Sequence, residues 1–115
     1  MYCKLALTLA LVGLASAGIP WEAASRPDAW WLPRHQGLLN LTHKHAAEVK
    51  VVFLGDSITE GWASNGKKIW DAHYAPRHAF NYGIGGDRTE HILWRIAHGE
   101  FDKVNPKLVV LKIGK

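Results

Sequence analysis

Cysteine is nearly missing from this chain: Cys3 is the single one among 115 residues. A disulfide framework is therefore excluded, and so is thiol chemistry in any form that has lost its first residues. Long apolar runs are missing as well. Leu5–Leu14 is the longest, too short to span a bilayer comfortably. Blocks of like charge do not occur. The formal net charge is +4, but the longest basic run is Lys67-Lys68, which argues for an ordinary solvated surface and against a nucleic-acid footprint. No G-x-x-x-x-G-K-[ST] motif is present, so no phosphate loop is expected. His35, His43 and His45 lack carboxylate or cysteine neighbours at ligand spacing, so no metal is expected and the three read as surface residues of a helix.

What is present is a composition of the globular class, 48% hydrophobic and 21% charged, with room for one domain. The N-terminus reads as a secretory signal. Lys4 supplies a short positive region, Leu5–Leu14 the apolar region, and Ala15-Ser16-Ala17 a small-x-small cleavage site, with the cut after Ala17. Secretion is the expected localisation. The cut removes Cys3, leaving a secreted domain that must rely on its core. Asn40-Leu41-Thr42 is a glycosylation sequon, so Asn40 is expected at the surface.

Residues 18 to about 30, with Pro20 and Pro27, read as an irregular lead-in. A helix is expected from about Arg34 to Glu48, and a first strand over Val49–Leu54, whose continuous apolar run suits a strand covered on both faces. Ile58–Tyr74 reads as helix in two pieces, broken near Asn65-Gly66, with Ile69, Trp70 and Tyr74 inward. His78–Ile84 is a second strand, ending in Gly83-Ile84-Gly85-Gly86. Asp87 is then expected to cap a helix, with Glu90 closing a capping box. Ile92, Leu93, Ile96 and Ala97 would form that helix's apolar stripe, with Gly99 at its end. After Asn105-Pro106, Lys107–Ile113 is a third strand, in which Lys112 is out of place for a buried position. Alternating strands and helices imply a parallel α/β sheet with right-handed crossovers. Three strands would leave a long edge uncovered, so the chain reads as a fragment or truncated form of a larger doubly wound domain.

The chemistry centres on Val51–Trp62. An apolar run halts at Gly55-Asp56-Ser57, which puts one hydroxyl at the C-terminal end of a buried strand, where open α/β sheets bind ligands. Ser57 is thus a candidate nucleophile. Gly83-Ile84-Gly85-Gly86 would meet it at the same sheet edge and can turn backbone N–H groups into a shared pocket. A dinucleotide fingerprint is rejected, because Arg88 stands where its third glycine belongs and the segment follows the second strand. His73, His78, His91 and His98 are the available bases, and none has an evident route to Ser57.

Residues 49–114 resemble the GDSL, or SGNH, hydrolase family. The first block is Val-Val-Phe-Leu-Gly-Asp-Ser-Ile-Thr-Glu; the second is Asn81–Thr89 followed by His91–Arg95; Asn105–Leu111 leads into the third. Within the family the likeness is to the catalytic alpha subunits of platelet-activating factor acetylhydrolase. The resemblance implies a flavodoxin-like three-layer α/β/α sandwich with a parallel sheet, of which residues 49–115 would form only the N-terminal half. It implies hydrolysis of an ester, acetyl or lipid, without a cofactor. It makes Ser57 the nucleophile and Gly86 an oxyanion-hole donor, with Asp56 supporting the nucleophile turn. The family's third oxyanion donor is an Asn in Gly-x-Asn. Here Gly114 is followed by Lys115, and the family's Asp-x-x-His block does not occur. Little or no activity is therefore expected of this chain, the alternative being a silent secreted binding or decoy fragment. A homodimer is compatible with the full-length protein.

Overall fold

The computed structural model describes residues 18–114. The expected signal segment and Cys3 lie outside the described residues. Helix α1 spans Trp31–His45, β1 Val51–Gly55, α2 Ser57–Glu60, α3 Lys67–Ile69, β2 Ala79–Gly83, α4 Thr89–Ala97 and β3 Leu108–Lys112. Turns of 3-10 helix (Gly61–Ala63, Ala75–Arg77) and one π turn (Trp70–Tyr74) fill the stretch between α2 and β2. The three strands lie inside the expected segments, except that β1 extends to Gly55.

All pairing is parallel, in the order β2-β1-β3, so β1 is central. This is the flavodoxin-like order, and it puts a topological switch at the C-terminal end of β1, where the chain leaves to opposite sides. The period of two along β1 sorts its side chains between two layers. Val52 and Leu54 join Tyr82, Trp31, Leu38 and Ile92 on one face. Phe53 points the other way, its ring 4.9 Å from Trp70, 5.2 Å from Tyr74 and 6.3 Å from Trp62. The break near Asn65-Gly66 is present, but Ile69 is 54% exposed and not inward, because the π turn that follows rotates Trp70 and Tyr74 onto Phe53 instead.

Helix α1 starts three residues before the expected Arg34 and ends at His45. Pro33 is accommodated in its first turn, where backbone N–H groups have no intrahelical acceptor. Its buried stripe is Trp31, His35, Leu38 and Thr42. His35 is therefore not a surface residue: its Nδ1 lies 2.8 Å from Glu100 in the core. His43 is exposed as expected, and His45 is partly covered.

The inward face of α4 also departs from expectation. Leu93 and Ile96 are exposed, while Glu90, Ile92 and Arg95 are buried. Arg95 takes the inward position because it is fully enclosed by partners. Its NH1 and NH2 both donate to the Tyr82 carbonyl at 2.8 Å, NH1 donates to Glu100 at 3.1 Å, and Nε faces Asp87 Oδ2 at 3.2 Å outside hydrogen-bond geometry. Burial lowers the Arg95 pKa, and the nearby carboxylates of Glu100 and Asp87 oppose that shift.

Asp87 is not the helix cap. Its carboxylate is turned into the core, where Oδ1 accepts from Trp31 Nε1 at 2.7 Å and from Arg26 NH1 at 2.9 Å. The cap falls to Arg88, whose backbone N–H donates to His91 Nδ1 at 2.8 Å. β3 has all five residues exposed, its four apolar side chains by 36–58% and Lys112 with them. No described helix is long and apolar enough to cross a membrane.

Replacing Arg95 with Met should cost about 3–5 kcal/mol, since it leaves Asp87 and Glu100 buried without their shared cation. Urea unfolding at neutral pH measures this; a loss below about 1 kcal/mol would mean that the buried network is not holding α4 to the sheet.

Candidate active site

The nucleophile turn is built where β1 stops. Asp56 is buried, and its carboxylate accepts the Ile58 N–H at 3.0 Å, capping α2. Ser57 is the first residue of α2 and is exposed. Two devices press this helix onto the sheet edge. Asn81, a lone amide between Phe80 and Tyr82, donates to the Thr59 carbonyl at 3.1 Å and accepts the Gly83 N–H at 2.8 Å. Gly83 itself has no side chain to obstruct, and any Cβ there would collide with the Glu60 backbone.

The opposite wall continues from β2. The Ile84 N–H donates to the Gly55 carbonyl at 3.0 Å, and a turn closes through Asp87 N–H to the Ile84 carbonyl at 3.2 Å. Gly86 adopts φ +82°, a left-handed conformation that favours glycine. The Gly85 N–H donates to Glu60 Oε2 at 3.2 Å, joining the glycine loop to α2. Ser57 and Gly86 then line one cleft of about 490 Å³ with Asp56, Glu90 and Gly114. Its position outside the carboxyl ends of β1 and β3 is the one expected from the switch in strand order.

The lead-in forms the third side. It is irregular, as expected, but it is tied down at four points. Ala24 N–H donates to the Glu90 carbonyl at 3.1 Å, Thr89 Oγ1 to the Pro20 carbonyl at 2.9 Å, and Arg26 to both Gly85 and Asp87. Sequence reasoning missed Arg26, Glu60 and Asn81. Asn81 is an isolated amide inside an apolar strand, and Asn81 and Glu60 both stand within the family blocks; Arg26, in the irregular lead-in, carries no such signal.

Among the described residues no histidine lines this cleft. His73 and His78 are exposed on the connection into β2. His98 stacks on Trp94 with ring centroids 3.7 Å apart. His91 lines a neighbouring recess together with Gly86, and its Nδ1 is committed to the Arg88 N–H. Burial lowers the His91 pKa from the ordinary imidazole value, although Asp87 and Glu90 pull the other way. Among the described residues no group of three His, Cys, Asp or Glu is placed to hold a metal ion. Asn40 is exposed on α1, while Thr42 of the same sequon is buried against Tyr82 and Glu100.

Residues 53–114 match the model of the GDSL-like lipase/acylhydrolase family. Among curated proteins, the chain is 41% identical over 100 residues to platelet-activating factor acetylhydrolase IB subunit alpha1 of Rattus norvegicus and of Homo sapiens. The match covers 87% of this chain and 41% of each relative. It is 37% identical over 100 residues to subunit alpha2 of Homo sapiens, covering 85% and 42%. The chain thus spans about two fifths of the length of these relatives.

The His91 cap should make stability fall in mild acid. The folded state binds this proton less readily than the unfolded chain, so stability declines as pH drops through about 6.5 and levels off below the lowered folded value. A His91→Gln variant keeps an acceptor at the same helical position without titrating. Its Tm should fall less than that of the parent between pH 7.5 and 5. Parallel curves would show that His91 is not the group responsible.

Proposed function

The chain belongs to the GDSL-like lipase/acylhydrolase family, and on that premise we propose that it carries the nucleophile half of a serine ester hydrolase. Ser57 Oγ attacks the ester carbonyl after a base removes its proton. The tetrahedral oxyanion is received by the backbone N–H groups of Ser57 and Gly86, the alcohol leaves, and water releases the acyl group from Ser57. Asp56 holds the turn by capping α2. The observation that supports this most directly is the pairing of an exposed serine at the start of α2 with a left-handed glycine across the same cleft.

The cleft has no histidine among the described residues, so the base is assigned to chain beyond them, in keeping with the Asp-x-x-His block that the resemblance implies. The 115-residue chain alone is then near-inactive, or a silent binding form. Removing the base typically costs several orders of magnitude, with residual catalysis left to the oxyanion donors and binding. Similarity to proteins named acetylhydrolases favours an acetyl or other short acyl ester, including lipid esters. Residues 1–17 act as a secretory signal, 18–48 as the lead-in and first helix, and 49–115 as part of the hydrolase domain. The full-length protein works without a cofactor and is compatible with a homodimer.

Hydrolysis of p-nitrophenyl acetate tests the assignment. The complete gene product should turn over, and Ser57→Ala should lower kcat/KM at least about 10³-fold. The 115-residue chain should stay near background. A Ser57→Ala enzyme of undiminished activity would overturn the proposal.

A further inference from the structure

Arg26 lies 27 residues before the region that matches the family model, in the irregular lead-in, yet it is among the most constrained side chains near the cleft. The side chain is only 12% exposed. Its Nε and NH2 donate to the two oxygens of Asp28 at 3.2 and 3.1 Å, a bidentate pairing. NH1 donates to Asp87 Oδ1 at 2.9 Å and to the Gly85 carbonyl at 2.7 Å. The Trp30 ring lies against the guanidinium, 4.8 Å from its centroid. Asp87 is fixed in turn by Trp31 and faces Arg95. Burial disfavours the charge of Arg26, but its bonds to Asp28 and Asp87 outweigh this and raise its pKa.

The Gly85 carbonyl and the Gly86 N–H belong to one peptide unit. That unit is trans and planar, so its C=O and N–H point in opposite directions. A group that holds the carbonyl on one side therefore sets the direction of the N–H on the other. A cationic donor on the carbonyl also polarises the unit and strengthens its N–H as a donor. The fit is close: a Cβ on Gly86 would stand 3.1 Å from both NH1 and NH2 of Arg26, so the loop closes directly over the guanidinium.

We propose that Arg26 is a positioning residue for ester hydrolysis: by gripping the Gly85 carbonyl it aims and polarises the Gly86 N–H as an oxyanion donor. This rests on the assignment of Gly86 to the oxyanion hole. The lead-in is thereby part of the catalytic apparatus and not only a cover for the domain. A donor that acts on charge developing in the transition state affects kcat more than KM. The ceiling for disabling one such donor is about 10²–10³ in kcat.

The test compares Arg26→Ala, Arg26→Lys and Ser57→Ala in the complete gene product, using p-nitrophenyl acetate. Arg26→Ala should lower kcat about 10- to 100-fold with KM changed less than about threefold. Arg26→Lys, which can still donate one bond to Gly85 but cannot also hold Asp28 through a fork, should recover part of that loss. Should Arg26→Ala fail to fold, the Lys variant carries the test, with a fall in kcat at unchanged KM expected. An unchanged kcat in whichever folded variant is read, or a change confined to KM, overturns the role of Arg26. Full activity in Ser57→Ala would instead remove the hydrolase reading itself.

Discussion

The structure depends on one buried carboxylate. Asp87 receives the Trp31 indole N–H from α1, the Arg26 guanidinium from the lead-in and the Arg95 charge from α4, and it sits directly after the glycine loop that lines the cleft. A carboxylate in that position would be prohibitively costly without partners, and each partner belongs to a different segment of chain. The network extends through the Arg95–Glu100 ion pair to a contact between Glu100 and His35. Elements that an apolar core would hold only loosely in register are thereby given one arrangement, and the glycine loop inherits it.

The cleft owes its position to strand order and its shape to small residues. Because β2 and β3 flank β1, the chain diverges at the carboxyl end of β1 and leaves a crevice there. Gly83 lets α2 settle against the sheet edge, and Gly86 turns the loop back toward Ser57. Nothing in this arrangement requires a long helix or a large core. That suits a segment in which β3 still presents four exposed apolar side chains.

The strands were legible because short, continuous apolar runs with β-branched residues are local signals, and Val51–Leu54 and Leu108–Leu111 carry both. That Ser57 and the glycine loop would meet at one sheet edge was legible because Gly-Asp-Ser ends the first strand and Gly-Ile-Gly-Gly ends the second, while Gly86 in particular was singled out by the family resemblance. The inward face of α4 was not. Its pattern of Ile92, Leu93, Ile96 and Ala97 reads as an apolar stripe, and only the distant Glu100 and Asp87 explain why Arg95 is inside. His35 was misread for the same reason: its partner Glu100 is 65 residues away. Asp87 has the right residue type and spacing for a cap, but a tertiary claim on its carboxylate outweighs the local one, and His91 takes over the backbone bond. Long-range charge pairing leaves no periodic trace, which is why Arg26 could be placed only from the structure.

The central claim is that Ser57 is a nucleophile whose base comes from beyond the described residues. The most direct measurement is to treat the protein from its natural source with a fluorophosphonate and to read both intact mass and the adducted residue. The account predicts an adduct on Ser57, confined to a species long enough to carry a further Asp and His, with any species of about the present length unlabelled. An adduct on the short species would mean that the described residues suffice to activate Ser57; an adduct elsewhere, or none on an active enzyme, would contradict Ser57 as the nucleophile.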